Sequence, residues 1–420
     1  MQVSLRILAL YLSLTIIALV TLRPGLSGNW LFDDYPNIVN NVRVHPHSGS
    51  MDELWNAIRG YEPGTPIGRP LATLSFALDY LIDGLHPHIY KLHNLFLHIL
   101  NATLLFSLVR RLANLPGAHS SLSTIATFGI ALLWAIHPLQ ISTVFYVVQR
   151  MEMLAITFVL LALLAYLKGR NAQMSGQRGW PWLVGSVIFT MFGLMAKETA
   201  ALTPLYTLAL EGTILHFNAQ NIRTRRSIKA IYAIGVILCI AILVSWVIPR
   251  YATQAAFAGR SFDLRERMLT QMRVLPMYVG QILLPLPSRL KFYYDAFPIS
   301  TGWLNPATTL AGATILVSLL VAAWRIRLRM PLVALGILWF FIAHLLTSSI
   351  FNLELVFEHR NYFALFGVLL ILSELIARIP MPNGPALKRF SIAATLVTAG
   401  FLGFLRAATW GSELELAMSL

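Results

Sequence analysis

Asp33 and Asp34 form an acidic pair about ten residues beyond the first apolar run of the chain, and five basic residues recur at matching positions later on. Arg69, His137, Arg150, Lys197 and Arg360 each stand where an apolar run meets a loop. A carboxylate at the edge of a low-dielectric layer has a raised proton affinity, which suits it to take a proton from a hydroxyl. Guanidinium groups offer phosphate oxygens a bidentate fork, and Lys offers a compact charge. The two sets together describe alcohol activation beside a phosphate held by cations. A phosphate head group anchored by a lipid tail would sit at this depth. Asp34 is the first choice for the base, with Asp33 beside it. Taken alone, the pair also fits a solvated turn before Pro36, and each cation fits snorkelling or an isolated ion pair. Several cations at one depth on one face weigh against the second alternative.

Other polar residues keep company with these. Tyr90, Asn94, His98 and Asn101 recur at intervals of four, four and three, which puts them on one face of a helix. Such a stripe either supports a site or joins helices by hydrogen bonds. Lys91 and His93 stand at its outer end, toward the loop that carries the aspartates. Gln149-Arg150-Met151-Glu152 opens one apolar run, Lys197-Glu198 separates two others, and Glu358-His359-Arg360 opens another. The pairs His45/His47 and His86/His88 flank prolines without helix spacing or a neighbouring carboxylate, so no metal site is indicated. There is no nucleophile elbow, phosphate-binding glycine loop or CxxC, which argues against hydrolase, nucleotide-binding and redox enzymes.

The elements that must position these residues are membrane helices. Of 420 residues, 57% are hydrophobic and only 12% charged, where soluble domains run about a quarter charged. Apolar runs long enough to span recur from Leu5–Leu22 to Ser391–Leu405 without the alternation of barrel strands. Leu5–Leu22 reads as a retained helix rather than a cleaved signal, being long for one and lacking a small-x-small site close behind. The net charge of +14 sits largely in short loops, so it reads as topology and not as nucleic-acid binding. Arg110-Arg111, Lys168 to Arg178, Arg223 to Lys229, Arg325 to Arg329 and Lys388-Arg389 would all be cytoplasmic. About eleven spans satisfy this, near 5–22, 89–109, 121–137, 150–167, 181–196, 199–216, 230–248, 305–324, 331–350, 359–378 and 390–408. The N-terminus is then inside and the C-terminus outside. The segment 263–287 carries Arg265, Arg267 and Arg273 and reads as re-entrant or interfacial. Large loops at 23–88 and 250–304 lie on the outer face, and Met51 to Gly60 in the first has Leu54, Trp55 and Ile58 at helical spacing. Residues 1–410 form one membrane domain and 411–420 a short tail. Cys239 has no intrachain partner.

The order and spacing of short motifs resembles one family. "FDDYPNIVNN" (Phe32 to Asn41), "GRPL" (Gly68 to Leu71), "YKLHNLFLHILNA" (Tyr90 to Ala102), His137-Pro138, "VVQRMEMLA" (Val147 to Ala155), Lys197-Glu198 and "EHRNY" (Glu358 to Tyr362) resemble the membrane half of the TMTC-type O-mannosyltransferases and their bacterial relatives. That resemblance implies an all-α polytopic GT-C fold using a polyprenyl-phosphate-linked sugar. It maps the family's acidic pair to Asp33 and Asp34, its loop arginine to Arg69, its helix polar residues to Asn94 and His98, and its lysine-glutamate to Lys197 and Glu198. Three positions depart from the pattern. Lys91 replaces a histidine, Ser142 replaces a carboxylate, and the last arginine is shifted by one place to Arg360. TPR repeats, common after the membrane domain in that family, do not follow, so the expectation is a member without a repeat domain or a fragment.

The implied function is an inverting membrane glycosyltransferase that moves one sugar from a polyprenyl-phosphate donor to a hydroxyl of a protein or envelope glycan. Arg69, Arg150, Lys197, His359 and Arg360 would hold the donor phosphate, with Lys91, Asn94, His98, His137, Glu198 and Glu358 in support. The expected setting is the plasma (inner) membrane with the site on the outer side, no nucleic-acid partner and no certain cofactor; a divalent metal is not indicated. The rival from another class is a transporter or flippase of polyprenyl-linked sugars, which would want charges spread through the membrane depth and broken helices at the midplane. A non-catalytic scaffold is a third reading. The loop 250–267 is a candidate cover for the acceptor.

Overall fold

In a computed structural model the chain is described over residues 2–61, 68–380 and 384–419, and these residues are helical with no strand. The first stretch contains α1 (Gln2–Leu22), α2 (Met51–Ile58), α3 (Pro70–Asp83), α4 (Pro87–Ala113) and α5 (Thr124–Ile136). Then come α6 (Gln140–Phe145), α7 (Arg150–Met174), α8 (Trp180–Leu194), α9 (Thr203–Leu210), α10 (Ile222–Ile242) and α11 (Ile248–Tyr251). The last are α12 (Leu264–Leu283), α13 (Thr308–Ile326), α14 (Pro331–His344), α15 (Ala364–Arg378), α16 (Gly384–Gly411) and α17 (Glu413–Ser419).

Every one of the eleven expected runs is helical at least in part. Among the described residues six helices are long and apolar enough to cross a membrane, and α5, α8 and α14 are shorter apolar helices. The run 199–216 is interrupted: a 3-10 turn at Glu198–Leu202 leads to α9, and a π-turn follows at Glu211–Leu215. The π-turn sits where the buried Glu211 accepts from Arg170 Nε at 2.6 Å and Tyr166 Oη at 2.7 Å, both on α7. The run 331–350 stops at His344 and the run 359–378 starts at Ala364. Between them, α12 draws the backbone into its side chains. Arg267 donates to the carbonyls of Thr347 at 2.7 Å, Ser349 at 2.8 Å and Leu353, and Gln271 donates to Leu355 at 2.9 Å.

α12 explains its own ambiguous sequence. It is a continuous helix whose start is closed by a capping box between Asp263 and Glu266. Arg267, Gln271, Tyr278 and Gln281 are buried on it, while Leu283 beside its end is 52% exposed. Arg267, Gln271 and Tyr278 thus face carbonyls of the 347–357 backbone, and Gln281 donates to Arg289 O and Tyr294 Oη. Two helices also form between α1 and α4. α2 stands where Leu54, Trp55 and Ile58 placed it, with Ser50 as N-cap. α3 was not anticipated, although Pro70 at its first position and the Leu/Ala-rich run behind it are ordinary helix signals.

α4 and α7 lie at the centre, α4 packing on α1, α3, α5, α6 and α7, and α7 on α8 and α9. The stripe on α4 is the glue between them. Asn94 donates to the carbonyl of Val144 at 3.0 Å, His98 bonds Ala135 O at 2.9 Å and Tyr362 Oη at 3.0 Å, and Asn101 donates to Met153 O at 2.9 Å. α10 is different, its apolar side chains facing outward along nearly its whole length, as lipid contact requires.

α14 and α15 cross with backbones almost touching, since a Cβ built on Gly336 would lie 2.5 Å from the Gly367 carbonyl oxygen, and the reverse also holds. Gly336→Val is expected to lower stability by about 1–3 kcal/mol in a detergent melting assay. Gly235→Val, on open α10 surface, is the control and should change it by less than about 0.5 kcal/mol. Equal effects of the two would mean that the helices do not pack this closely.

Candidate functional site

The loop after α1 separates the acidic pair. Phe32 takes a left-handed φ of 36°, a costly conformation for an aromatic residue and one without a sequence signature. Its ring stacks on Tyr293 at 5.7 Å and meets Phe292 at 5.4 Å, which holds the kink. The Asp33 amide donates to Tyr146 Oη at 2.9 Å, and the Asp33 side chain is exposed. Asp34 turns the other way and is fully buried. Its two oxygens accept from the amides of Val148 at 2.7 Å and Leu31 at 3.0 Å, so the carboxyl ties the loop to the turn that opens α7. Burial pushes the Asp34 carboxyl up to about 7, against the pull of those amides and of the Lys91 charge. Burial, reinforced by the charge of Asp33, also raises the Tyr146 phenol and keeps it a neutral donor.

Two of the expected cations form partly exposed ion pairs. Arg69, at the head of α3, bridges to Glu198 with Nη2–Oε2 at 2.9 Å and Nε–Oε1 at 3.4 Å. Lys197 pairs with Glu152 of α7 at 3.1 Å and donates to Gln149 Oε1 at 3.3 Å. Lys197 and Glu198 are therefore not a pair with each other; they clasp two different elements. The Arg69 and Lys197 side chains keep 16% and 18% exposure, so each cation has an open side. Tyr61 joins Arg69 to Asp33: its ring lies 4.6 Å under the guanidinium. Burial raises the Tyr61 hydroxyl, with Arg69 opposing and Glu198 and Asp33 reinforcing. His359 lies within electrostatic range of Lys197 and stands 6.3 Å from the Tyr146 ring. Its Nδ1 is buried without a hydrogen-bond partner among the described residues.

The remaining expected cations are part of the frame. Arg150 is 3% exposed and engaged on every nitrogen: Asp79 at 2.6 Å, Asn94 Oδ1 at 2.7 Å, Tyr90 O at 2.7 Å and Ser75 O at 3.2 Å. Arg360 donates to Glu354 O at 2.6 Å and Leu355 O at 3.3 Å and holds the 351–357 loop. His137 bonds Ile282 O at 3.1 Å and the Leu139 amide at 3.2 Å, closing the corner behind α5. Lys91 is buried beside Gly28, with Asp34 and Glu413 as its charged neighbours and no hydrogen bond to Nζ among the described residues. Arg150 thus has every nitrogen engaged, whereas the hydrogen bonds of Arg360 come from Nη1, with Nη2 3.7 Å from Glu354 Oε2.

Sequence reasoning missed three members of the surroundings. Asp79 is the only carboxylate inside α3 before its last residue, and a lone acid in an apolar helix is a signal. Arg406 in α16 is a lone charge near the end of an apolar run, by the same rule as the other cations; it pairs with the buried Glu358, which also accepts from Tyr294 at 3.1 Å. Tyr146 carried no signal, because a tyrosine amid apolar residues is usually core. Among the described residues no group of three or more potential metal ligands gathers. The loop 250–267, the candidate cover, is tied to the 351–357 segment, Arg260 bonding Asn352 at 2.9 Å and Glu354 at 3.1 Å.

No family model matches the chain. It is similar to the protein O-mannosyl-transferase TMTC2 of Homo sapiens, 27% identical over 234 residues that cover 53% of this chain and 26% of that protein. It is similar also to Tmtc2 of Drosophila melanogaster, 30% identical over 293 residues, 66% of this chain and 30% of the relative. TMTC3 of Mus musculus is 30% identical over 173 residues, 40% of this chain and 18% of the relative. The chain's homologues are thus TMTC-type protein O-mannosyltransferases, and it spans less than a third of the length of these three.

Asp79→Asn leaves the Arg150 charge buried without a counter-ion and is expected to cost about 3–5 kcal/mol by thermal or denaturant unfolding, the double variant Asp79→Leu/Arg150→Met losing less. A single variant as stable as the parent would show that Arg150 does not depend on Asp79. Asp34 has its own pH signature. With its proton affinity raised in the fold, its stabilising contribution is full below about 3.8 and is lost as pH rises through about 7. The melting temperature of the parent should therefore fall relative to Asp34→Asn across that window, and a pH-independent difference would contradict the burial of this carboxyl.

Proposed function

We propose that the chain is a membrane glycosyltransferase of GT-C type that transfers one sugar, by inversion, from a polyprenyl-phosphate donor to a hydroxyl on a protein. The names of its homologues favour mannose as the sugar and protein as the acceptor. The reading rests on the exposed Asp33 carboxylate, which follows a strained turn and acts on the Tyr61 hydroxyl under Arg69, and on two partly exposed cations, Arg69 and Lys197.

The chemistry follows from what each group can do. The acceptor oxygen attacks the anomeric carbon, its proton passes to the Asp33 carboxylate, and the bond from that carbon to the phosphate oxygen breaks. One displacement inverts the configuration. The lipid phosphate leaves with the electron pair and an added negative charge, so it needs cations more than an acid. Arg69 and Lys197 supply them by sharing Glu198 and Glu152 with the phosphate, and His359 offers a further polar edge at the same level. Asp33 takes the role first considered for Asp34, because the buried neighbour already has both oxygens occupied. Asp34, Arg150 and Arg360 hold the frame, so reacting groups start close to the geometry of attack.

The site lies at the start of α4 and α7, whereas Arg110-Arg111 and Lys168 to Arg178 lie at their far ends. If those basic ends are cytoplasmic, the site faces outward.

Asp33→Asn, purified in lipid, is expected to lower kcat by about 100-fold or more with an unchanged melting temperature. Arg69→Gln and Lys197→Gln should raise KM for the lipid donor more than they change its binding of acceptor. Transfer from radiolabelled polyprenyl-phosphate sugars measures both. Parent-rate transfer by folded Asp33→Asn would remove the proposed base, and tight donor binding without turnover in the parent would favour a carrier.

A further inference from the structure

A polar cavity lies at the ends of the two central helices α4 and α7 that are farther from Asp33. It measures about 420 Å³ and is walled by α1, α4 and α7. Arg110 and Arg111 from α4 and Lys168 from α7 converge on it, with Asn114 and Asn171 between them and no acidic residue in the lining. From Lys91 to Arg110 along α4 the distance is about 28 Å at 1.5 Å per residue, so this cavity and Asp33 lie on opposite sides of the bundle.

Topology alone asks only for positive charge in a loop. It does not ask for cations from two helices to meet in one hollow. Their charge is also unspent: among the described residues none of the three forms an ion pair, and the buried Nε of Arg110 has no hydrogen-bond partner. The Arg110 guanidinium rests over Phe106 at 5.5 Å and Lys168 over Trp182 at 3.5 Å, which orients both stems without neutralising either head. Deeper in, Tyr11 and Ser107 share a 2.6 Å hydrogen bond, so the cavity has a polar floor as well. Next to Tyr11 on α1, Leu8 and Leu12 are 54% and 55% exposed along the membrane-facing side. A ligand here would meet cations at one end and an acyl-compatible surface at the other.

We propose that this cavity binds the phosphate of an anionic membrane lipid, on the side of the bundle opposite the candidate active site. Free phosphate would satisfy the same cations but would leave the neighbouring apolar surface uncovered. A lipid bound there would clamp α1, α4 and α7 together at the ends farthest from the acidic loop. This inference is independent of the glycosyltransferase reading.

The test uses the full chain in phosphatidylcholine nanodiscs, with and without phosphatidylglycerol, and reads the melting temperature. The parent should melt higher when phosphatidylglycerol is present. Arg110→Gln/Arg111→Gln/Lys168→Gln should melt like the parent in phosphatidylcholine but lose the rise, with apparent lipid affinity falling about fivefold per charge removed. Arg110→Lys/Arg111→Lys should keep it. Arg223→Gln/Arg225→Gln/Arg226→Gln removes the same charge from exposed surface on α10 and should also keep it. The proposal is overturned if the parent shows no rise, or if the α10 variant loses it as fully as the cavity variant, which would mean general surface attraction. If inorganic phosphate in phosphatidylcholine reproduces the rise, the ligand is the free anion and the lipid assignment falls.

Discussion

The buried Arg150 cation is the constraint around which this bundle is arranged. A guanidinium with 3% exposure in an apolar interior costs several kcal/mol to desolvate, and only complete engagement by well-placed acceptors offsets that. Those acceptors come from two elements, Asp79 and Ser75 on α3 and Tyr90 and Asn94 on α4, and Arg150 ties both to the start of a third, α7. Each must therefore sit where it does. α3 belongs to the outer loop in sequence but is pinned to the central helices by this charge. Arg69 is pinned in turn, because it is the residue immediately before α3.

Around that anchor the site is assembled from pieces that hold one another in place. Asp34 joins the first loop to the turn before α7, Tyr146 fixes the backbone of Asp33, and Lys197-Glu198 grips α7 with one residue and the head of α3 with the other. Asp33 stays exposed, and Arg69 and Lys197 keep part of their surface open although each is paired. On the far side, Arg267 and Arg360 act on backbone carbonyls and hold the 345–357 segment, to which Arg260 ties the next loop. Charges in this protein thus divide into those consumed by the frame and those left open at its rim.

Much of this organisation was legible in the chain. The apolar runs located helices at all eleven places, and α2 formed where three apolar residues at helical spacing put it. Asp33, Arg69 and Lys197 were marked by their position at run ends. What escaped the reading has a common cause. α12 buries Arg267, Gln271 and Tyr278 beside its apolar residues, since these three meet backbone carbonyls in need of donors. The run 199–216 gave no sign that Glu211 would be claimed by Arg170 and Tyr166 across the bundle. Periodicity reports the average environment of a helix, and these departures depend on particular partners.

The sequence by itself determined the solvent and the parts: an all-α membrane chain, its basic and acidic ends, and the set of ionisable residues at helix boundaries. This follows because hydrophobic length and charge are local properties that each segment carries wherever it lies. Only the tertiary structure decided which charges are spent and which remain. Asp33 and Asp34 are chemically identical neighbours, yet a left-handed Phe32 sends one to the surface and the other to the amides of Leu31 and Val148. Arg150 and Arg69 are likewise both arginines at run ends, and they differ by whether buried acceptors from distant helices occupy every nitrogen. Burial and pairing are properties of the assembled fold, and they set the energy of a charge more strongly than its residue type does.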